Sequence, residues 1–187
     1  MKWLVSILDT LIFIWSVLAM LRFLLQKGGL SYNHPSAYFL YRSTQWIVGE
    51  MRKIIQPIKG WDMAIPVSVF LIFLLYEFVK LLINLLHINI DLNIPNLVVG
   101  TLLIVILKVI STSVYAFLYE LIMKYLLQHN LKDIRLLQAC NFSINCILSP
   151  FHIRYKPTLV AFVFCIVWVL LIYPNLMYVV QRYVLIQ

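Results

Sequence analysis

Residues Pro157 to Val180 read PTLVAFVFCIVWVLLIYPNLMYVV, with no charged side chain between Lys156 and Arg182. Coiled as an α-helix this stretch is about 36 Å long, more than the roughly 30 Å hydrocarbon core of a bilayer. An apolar helix of that length needs lipid around it, so the segment predicts a membrane span. Three more stretches meet the same criterion: about Trp3 to Gln26, about Asp62 to His87 and about Pro95 to Gln128. Lys2 ahead of an apolar run imitates a secretory signal, but Asp9 interrupts that run, which is long enough to span. The fold class that follows is an all-α membrane protein with four transmembrane helices.

Composition points the same way. Of 187 residues 63% are apolar and 12% charged, against roughly half and a quarter in soluble domains. Disorder, collagen, coiled coil and a disulfide-stapled module are excluded by the same numbers. The net charge of +8 does not signal nucleic acid, because the basic residues sit beside apolar spans and form no tract interleaved with aromatics. They fit a positive-inside bias. Lys27, Arg42, Arg52, Lys53 and Lys59 fall between spans one and two, and Lys132, Arg135, Arg154 and Lys156 between spans three and four, against Lys2 and Arg182 on the other side. The expected topology is multi-pass, with both long connections in the cytoplasm and both termini and the short Ile88 to Asn93 connection outside.

The layout is a hairpin made twice: residues 1–90 and 91–187, within a single membrane domain. Leu21-Arg22-Phe23-Leu24-Leu25-Gln26 closes span one, and Met123-Lys124-Tyr125-Leu126-Leu127-Gln128 closes span three. Both halves enter the membrane in the same direction, so the repeats are expected to be parallel and not inverted, the second one degenerate.

From Pro35 to Gln56 the first connection has helical periodicity, with Leu40, Thr44, Ile47, Met51 and Ile54 on one face and Arg42, Gln45, Gly49, Arg52 and Gln56 on the other. Such a helix is expected to lie in the headgroup plane, where Arg42, Arg52, Lys53 and Lys59 would meet anionic lipid or a partner. The second connection shows a weaker polar line through Gln138, Asn141 and Asn145, opposite Leu137, Cys140 and Ile144, and a weaker surface attachment.

Leu21, Arg22, Leu25, Gln26, Pro35, Thr44, Gln45, Ile47, Val48, Gly49, Arg52, Lys53, Ile54, Ile55, Gly60 and Asp62 together resemble the YggT family of small bacterial membrane proteins. The resemblance is clear from about Ile7 to Leu82 and faint beyond. The family pattern, approximately T-x-P-I-x-x-P-x-R-R-x-x-P followed by G and D, has three prolines where this chain has Trp46, Glu50 and Gln56. Their loss lets the segment run as one continuous helix. The resemblance implies an integral protein of the bacterial cytoplasmic (inner) membrane or a plastid membrane. It implies association with envelope growth, division, stress tolerance or assembly of membrane cytochromes, and brings no common reaction or cofactor.

Ionisable groups inside a span are costly and mark candidate sites. By helical rise, Asp9, Glu77, Lys80 and Lys108 fall in one deep layer, and Arg22, Glu120 and Lys124 in a second near the cytoplasmic face. Each layer holds both signs, so acids are expected to meet bases across helices, with Arg22 approaching Glu120. Ser111, Thr112 and Ser113 would add interhelical hydrogen bonds. Cys140, Cys146 and Cys165 have neither disulfide nor zinc spacing and read as small apolar side chains. His34, His87, His129 and His152 all lie near span ends, and no phosphate loop, G-x-S-x-G or H-E-x-x-H occurs. No catalytic group, cofactor or metal is expected. The function expected is non-catalytic work in envelope maintenance, division or membrane-protein assembly, through a membrane-protein partner or self-association. The alternative is a small transporter or channel component using the deep charges.

Overall fold

The computed structural model describes residues 2–58, 61–87, 94–130, 133–151 and 157–185. Lys59, Gly60, the Ile88 to Asn93 connection, Lys132, His152, Arg154 and Lys156 lie outside the described residues. The described elements are helical: α1 (Lys2–Lys27), α2 (Pro35–Ile54), α3 (Ala64–His87), α4 (Ile94–Asn130), α5 (Ile134–Leu148) with a 3₁₀ turn (Ser149–Phe151), α6 (Pro157–Val167), a π-helical segment (Trp168–Ile172) and α7 (Tyr173–Leu185). Four helical stretches are long and apolar enough to cross a bilayer: Trp3–Lys27, Ala64–Ile83, Leu97–Gln128 and Pro157–Arg182. The chain is an all-α membrane protein.

One span boundary and one span interior differ from the sequence expectation for identifiable reasons. Asp62 stays outside α3, where its carbonyl accepts from the Ile65 amide at 3.1 Å while its carboxylate is taken by Arg52. The fourth span, read as one apolar stretch from Pro157 to Val180, carries the π-helical segment within it. Pro174 follows it, has no amide to donate, and would press its ring on the carbonyl of Leu170; the wider π turn relieves that collision.

The two hairpins run in the same sense. Asp9 on α1 meets Lys108 on α4 at 2.8 Å, and one turn further along α1 and two along α4 Phe13 packs edge-on against Tyr115 with ring centroids 5.1 Å apart. α3 returns antiparallel to α1. Tyr76 donates to the Val5 carbonyl at 3.0 Å, and at the other end Phe23 packs on Trp61. α6 and α7 return along α4, with Trp168 Nε1 donating to Ser111 Oγ at 3.2 Å. Small residues allow this close approach: Ser16, Ala19, Ser68, Thr112 and Ala116 are fully buried. The outward faces carry exposed Leu75, Phe78, Leu170, Leu171 and Val179, a surface suited to acyl chains.

α1 ends in a Schellman motif. Gly29 adopts φ 78, the Leu30 amide donates to the Leu25 carbonyl at 3.1 Å, and the Gly29 amide donates to the Gln26 carbonyl at 3.0 Å. Leu30 then buries beside Leu25. Gly28, one position earlier, lies so close to α5 that a Cβ there would stand 2.3 Å from the Ala139 carbonyl oxygen.

α2 is continuous through Trp46 and Glu50, as the missing prolines require, and ends at Ile54. Leu40, Thr44 and Val48 form the stripe buried against the protein, turned by about 40° from the Leu40-Thr44-Ile47-Met51-Ile54 face expected toward the acyl boundary. Ile54 is exposed, Gln45 and Arg52 turn toward the protein, and Tyr38, Phe39, Arg42, Trp46 and Lys53 look outward. The helix docks on α1 and α3 because that is where polar partners for its inward side chains are.

Candidate functional site

The deep charges form one cluster drawn from three helices. Lys108 Nζ donates to Asp9 Oδ1 at 2.8 Å and to Glu77 Oε1 at 2.6 Å. Lys80 Nζ lies 3.4 Å from both Asp9 Oδ2 and Glu77 Oε1. Two acids and two bases cancel, as an apolar medium demands. Both ammonium groups also lie over the Tyr76 ring, Lys108 at 5.4 Å and Lys80 at 5.1 Å from its centroid. Glu77 and Lys108 are buried, whereas the Asp9 side chain is 37% exposed. A cavity of about 400 Å³ opens beside the cluster and is lined also by Thr10, Tyr115, Tyr173 and Gln181.

The second layer is built differently. Arg22 and Glu120 are both buried, but they do not form the expected pair. Arg22 Nη1 donates to Thr44 Oγ1 at 2.8 Å and Nη2 to Gln45 Oε1 at 3.0 Å, with the guanidinium 4.7 Å above the Tyr41 ring. Glu120 accepts a short hydrogen bond from the Ser143 hydroxyl of α5, and its Oε2 has no hydrogen-bond partner among the described residues. Each charge is thus met by the surface helix of its own hairpin, which stands nearer than the opposite charge. Lys124, one turn after Glu120, borders a groove shared with α6 and makes no ion pair with Glu120.

Arg52, expected at the lipid surface, instead bonds Asp62 through Nε at 2.9 Å and through Nη2. Burial would lower the Arg52 pKa, but the Asp62 carboxylate and the nearby Tyr32 hydroxyl outweigh that and raise it. Lys53 pairs with Glu50 on the exposed face at 2.7 Å, and Arg42 reaches Tyr38 at 3.5 Å. Lys59 lies outside the described residues. The motif residues that carried the family resemblance therefore bond one another: Arg22 with Thr44 and Gln45, and Arg52 with Asp62. They fix α2 to α1 and to the start of α3.

One coupling was not read from the sequence. His34 caps α2, its Nδ1 accepting from the Ser36 amide at 3.3 Å, and Asp133 caps α5, its Oδ1 accepting from Leu136 at 3.4 Å. His34 Nε2 and Asp133 Oδ2 are 2.6 Å apart, so the caps of the two surface helices are joined. Pro35 and Asp133 signal the two helix starts, but the bond between them depends on tertiary packing. Cys140, buried on α5, has its thiol pKa pushed up to about 12 by burial and then by Glu120, which keeps it in the protonated thiol form. Among the described residues no three His, Cys, Asp or Glu side chains gather at a distance that would hold a metal ion.

No curated protein and no solved structure matches the chain. Residues 1–85 match the model of the CCB3/YggT family, and they hold the hairpin in which Arg22, Thr44, Gln45, Arg52 and Asp62 bond one another.

Proposed function

We propose that the protein is a non-catalytic membrane scaffold that serves envelope maintenance, division or membrane-protein assembly by associating with another membrane protein or with itself. The observation that carries this reading is the closed ionic cluster, in which Lys108 joins Asp9 of α1 to Glu77 of α3 while Lys80 balances the remaining charge. The cluster is a lock between hairpins. On the helices between the two charged levels, Ser16, Ala19, Thr112 and Ala116 are fully buried, which favours dry packing over a wet path. The protein resides in the bacterial cytoplasmic membrane, with anionic lipid on the cytoplasmic side, where α2 and α5 lie. The two hairpins are parallel repeats, the second degenerate. A reporter fused after Gln187 is expected outside, and a tag reached only from the cytoplasm would reverse the orientation.

A second reading, a small transporter or channel component, draws on the cavity of about 400 Å³ beside the cluster and on the π segment at that depth. Ion flux in proteoliposomes separates the two. The scaffold reading expects no flux above that of empty vesicles and no change with Lys108→Leu. Flux that Lys108→Leu abolishes would replace it with the transporter. Crosslinking in native membranes is expected to capture a membrane-protein neighbour or a second copy, and capture of neither would remove the scaffold's partner.

A further inference from the structure

Among the described residues Lys124 is an intramembrane cation that finds no polar side chain. It lies six residues before the end of α4, roughly 9 Å inside that end, half-buried, and has no ion pair or hydrogen bond among the described residues. Glu120 cannot serve it, being turned toward Ser143. Lys124 instead borders a groove of about 420 Å³ between α4 and α6, whose walls are Leu121, Ile122, Leu159 and Phe162, with Thr158 at the first turn of α6. Ile122, Leu159 and Phe162 are exposed, so the groove opens sideways toward the acyl region.

An unpaired ammonium at this depth is costly unless an anion reaches it or its stem carries it to the interface. The positive end of the α6 dipole lies beside it, and Arg154 and Lys156 immediately precede α6 in the sequence. This is one apolar trough with the Lys124 ammonium and the positive end of a helix at its membrane-surface end. We propose that the α4–α6 groove is a binding site for an anionic phospholipid, with an acyl chain along Leu121, Leu159 and Phe162 and the phosphate on Lys124. The occupant is a lipid and not a partner helix, because charge complementarity asks for an anion at the interface and the groove is sized for a chain. The site does not depend on the scaffold reading, since a transporter would carry it equally well.

Native mass spectrometry of the detergent-purified chain tests it, using phosphatidylglycerol and phosphatidylcholine of identical acyl composition. The wild type is expected to retain one phosphatidylglycerol in preference to phosphatidylcholine by about fivefold, the worth of one lysine near the surface. Lys124→Met should erase the preference, Lys124→Arg keep it, and Lys53→Gln, on the exposed face of α2, leave it intact. Leu159→Trp fills the groove without touching the charge and should lower retention of both lipids. That variant decides the matter if Lys124→Met fails to fold. Equal retention of the two lipids by the wild type, a preference surviving Lys124→Met, or unchanged retention in Leu159→Trp would each overturn the site.

Discussion

Arg22 and Lys124 hold corresponding places in the two hairpins, in LRFLLQ and MKYLLQ, yet they meet different surroundings. Arg22 is buried and taken up by Thr44, Gln45 and Tyr41 of α2. Lys124 looks into a groove that faces lipid. The difference lies in the surface helix. α2 brings a hydroxyl, an amide and an aromatic ring to the end of α1, whereas α5 brings Cys140 and a Ser143 already committed to Glu120. A cation near a membrane face becomes internal when the neighbouring helix supplies planar acceptors for a guanidinium, and external when it does not. The hairpin that keeps its cation inside is also the one matched by the CCB3/YggT family model.

The hardest test of this comparison is at the cluster that both hairpins share. Lys108→Met leaves Asp9 and Glu77 with only the more distant Lys80, and stranding a buried acid costs about 3–5 kcal/mol. Thermal unfolding in detergent should show that loss, and adding Glu77→Gln to Lys108→Met should recover most of it. Failure of the double variant to recover would mean that the cluster does more than balance charge.

Next in size is the contrast between the two cations themselves. Arg22→Met removes both hydrogen bonds to α2 and strands Thr44 and Gln45, at about 1.5–3 kcal/mol. Lys124→Met should stay within about 0.5 kcal/mol in detergent without added lipid. Equal losses would show that Lys124 is as internal as Arg22. Gly28→Ala probes the junction between hairpins. Its Cβ meets the Ala139 backbone, so α5 must move at a cost of about 1–3 kcal/mol, and loosening should follow at His34 and Asp133.

The span count and the all-α class were legible because apolar length is a local property of the chain. The deep layer was legible too, since helical rise alone brings Asp9, Glu77, Lys80 and Lys108 to one depth. Which groups bond at the second layer was not. Depth placed Arg22 beside Glu120, but the rotation of each helix and the reach of Thr44, Gln45 and Ser143 decide who meets whom. An apolar face on α2 is legible in the sequence, but the stripe that docks on the protein is set by Thr44 and Gln45 meeting Arg22 and by Arg52 meeting Asp62. The π segment was not legible from apolar length, because it follows from the collision of the Pro174 ring with the Leu170 carbonyl.

A smaller effect is expected at the half-buried Arg52–Asp62 pair, whose side chains are 31% and 18% exposed. Asp62→Asn should cost about 1 kcal/mol, mostly by freeing the segment between α2 and α3, while Lys53→Gln on the exposed face should cost less. Limited proteolysis after Ile54 reads this directly. Equal cleavage in Asp62→Asn and the wild type would mean that the pair is incidental.

The smallest effect concerns how firmly α5 is held. Its polar line is the weaker one in sequence, which suggests a helix loosely laid on the membrane surface, whereas the structure packs it on α1 and α4 with Cys140 1% exposed. Thiol labelling distinguishes the two, since only a thiolate reacts quickly. A membrane-permeant maleimide at pH 8 should modify half-exposed Cys146 and spare Cys140, whose thiol, raised to about 12, is almost wholly protonated there. Raising the pH adds reactive Cys140 only as it approaches that value, and reaction still requires the helix to open. Gly28→Ala should bring Cys140 within reach by lifting α5 at Ala139. Cys140 labelling as fast as Cys146 in the unaltered chain would show that α5 is not docked, and that only the hairpin matching the CCB3/YggT model holds its surface helix in place.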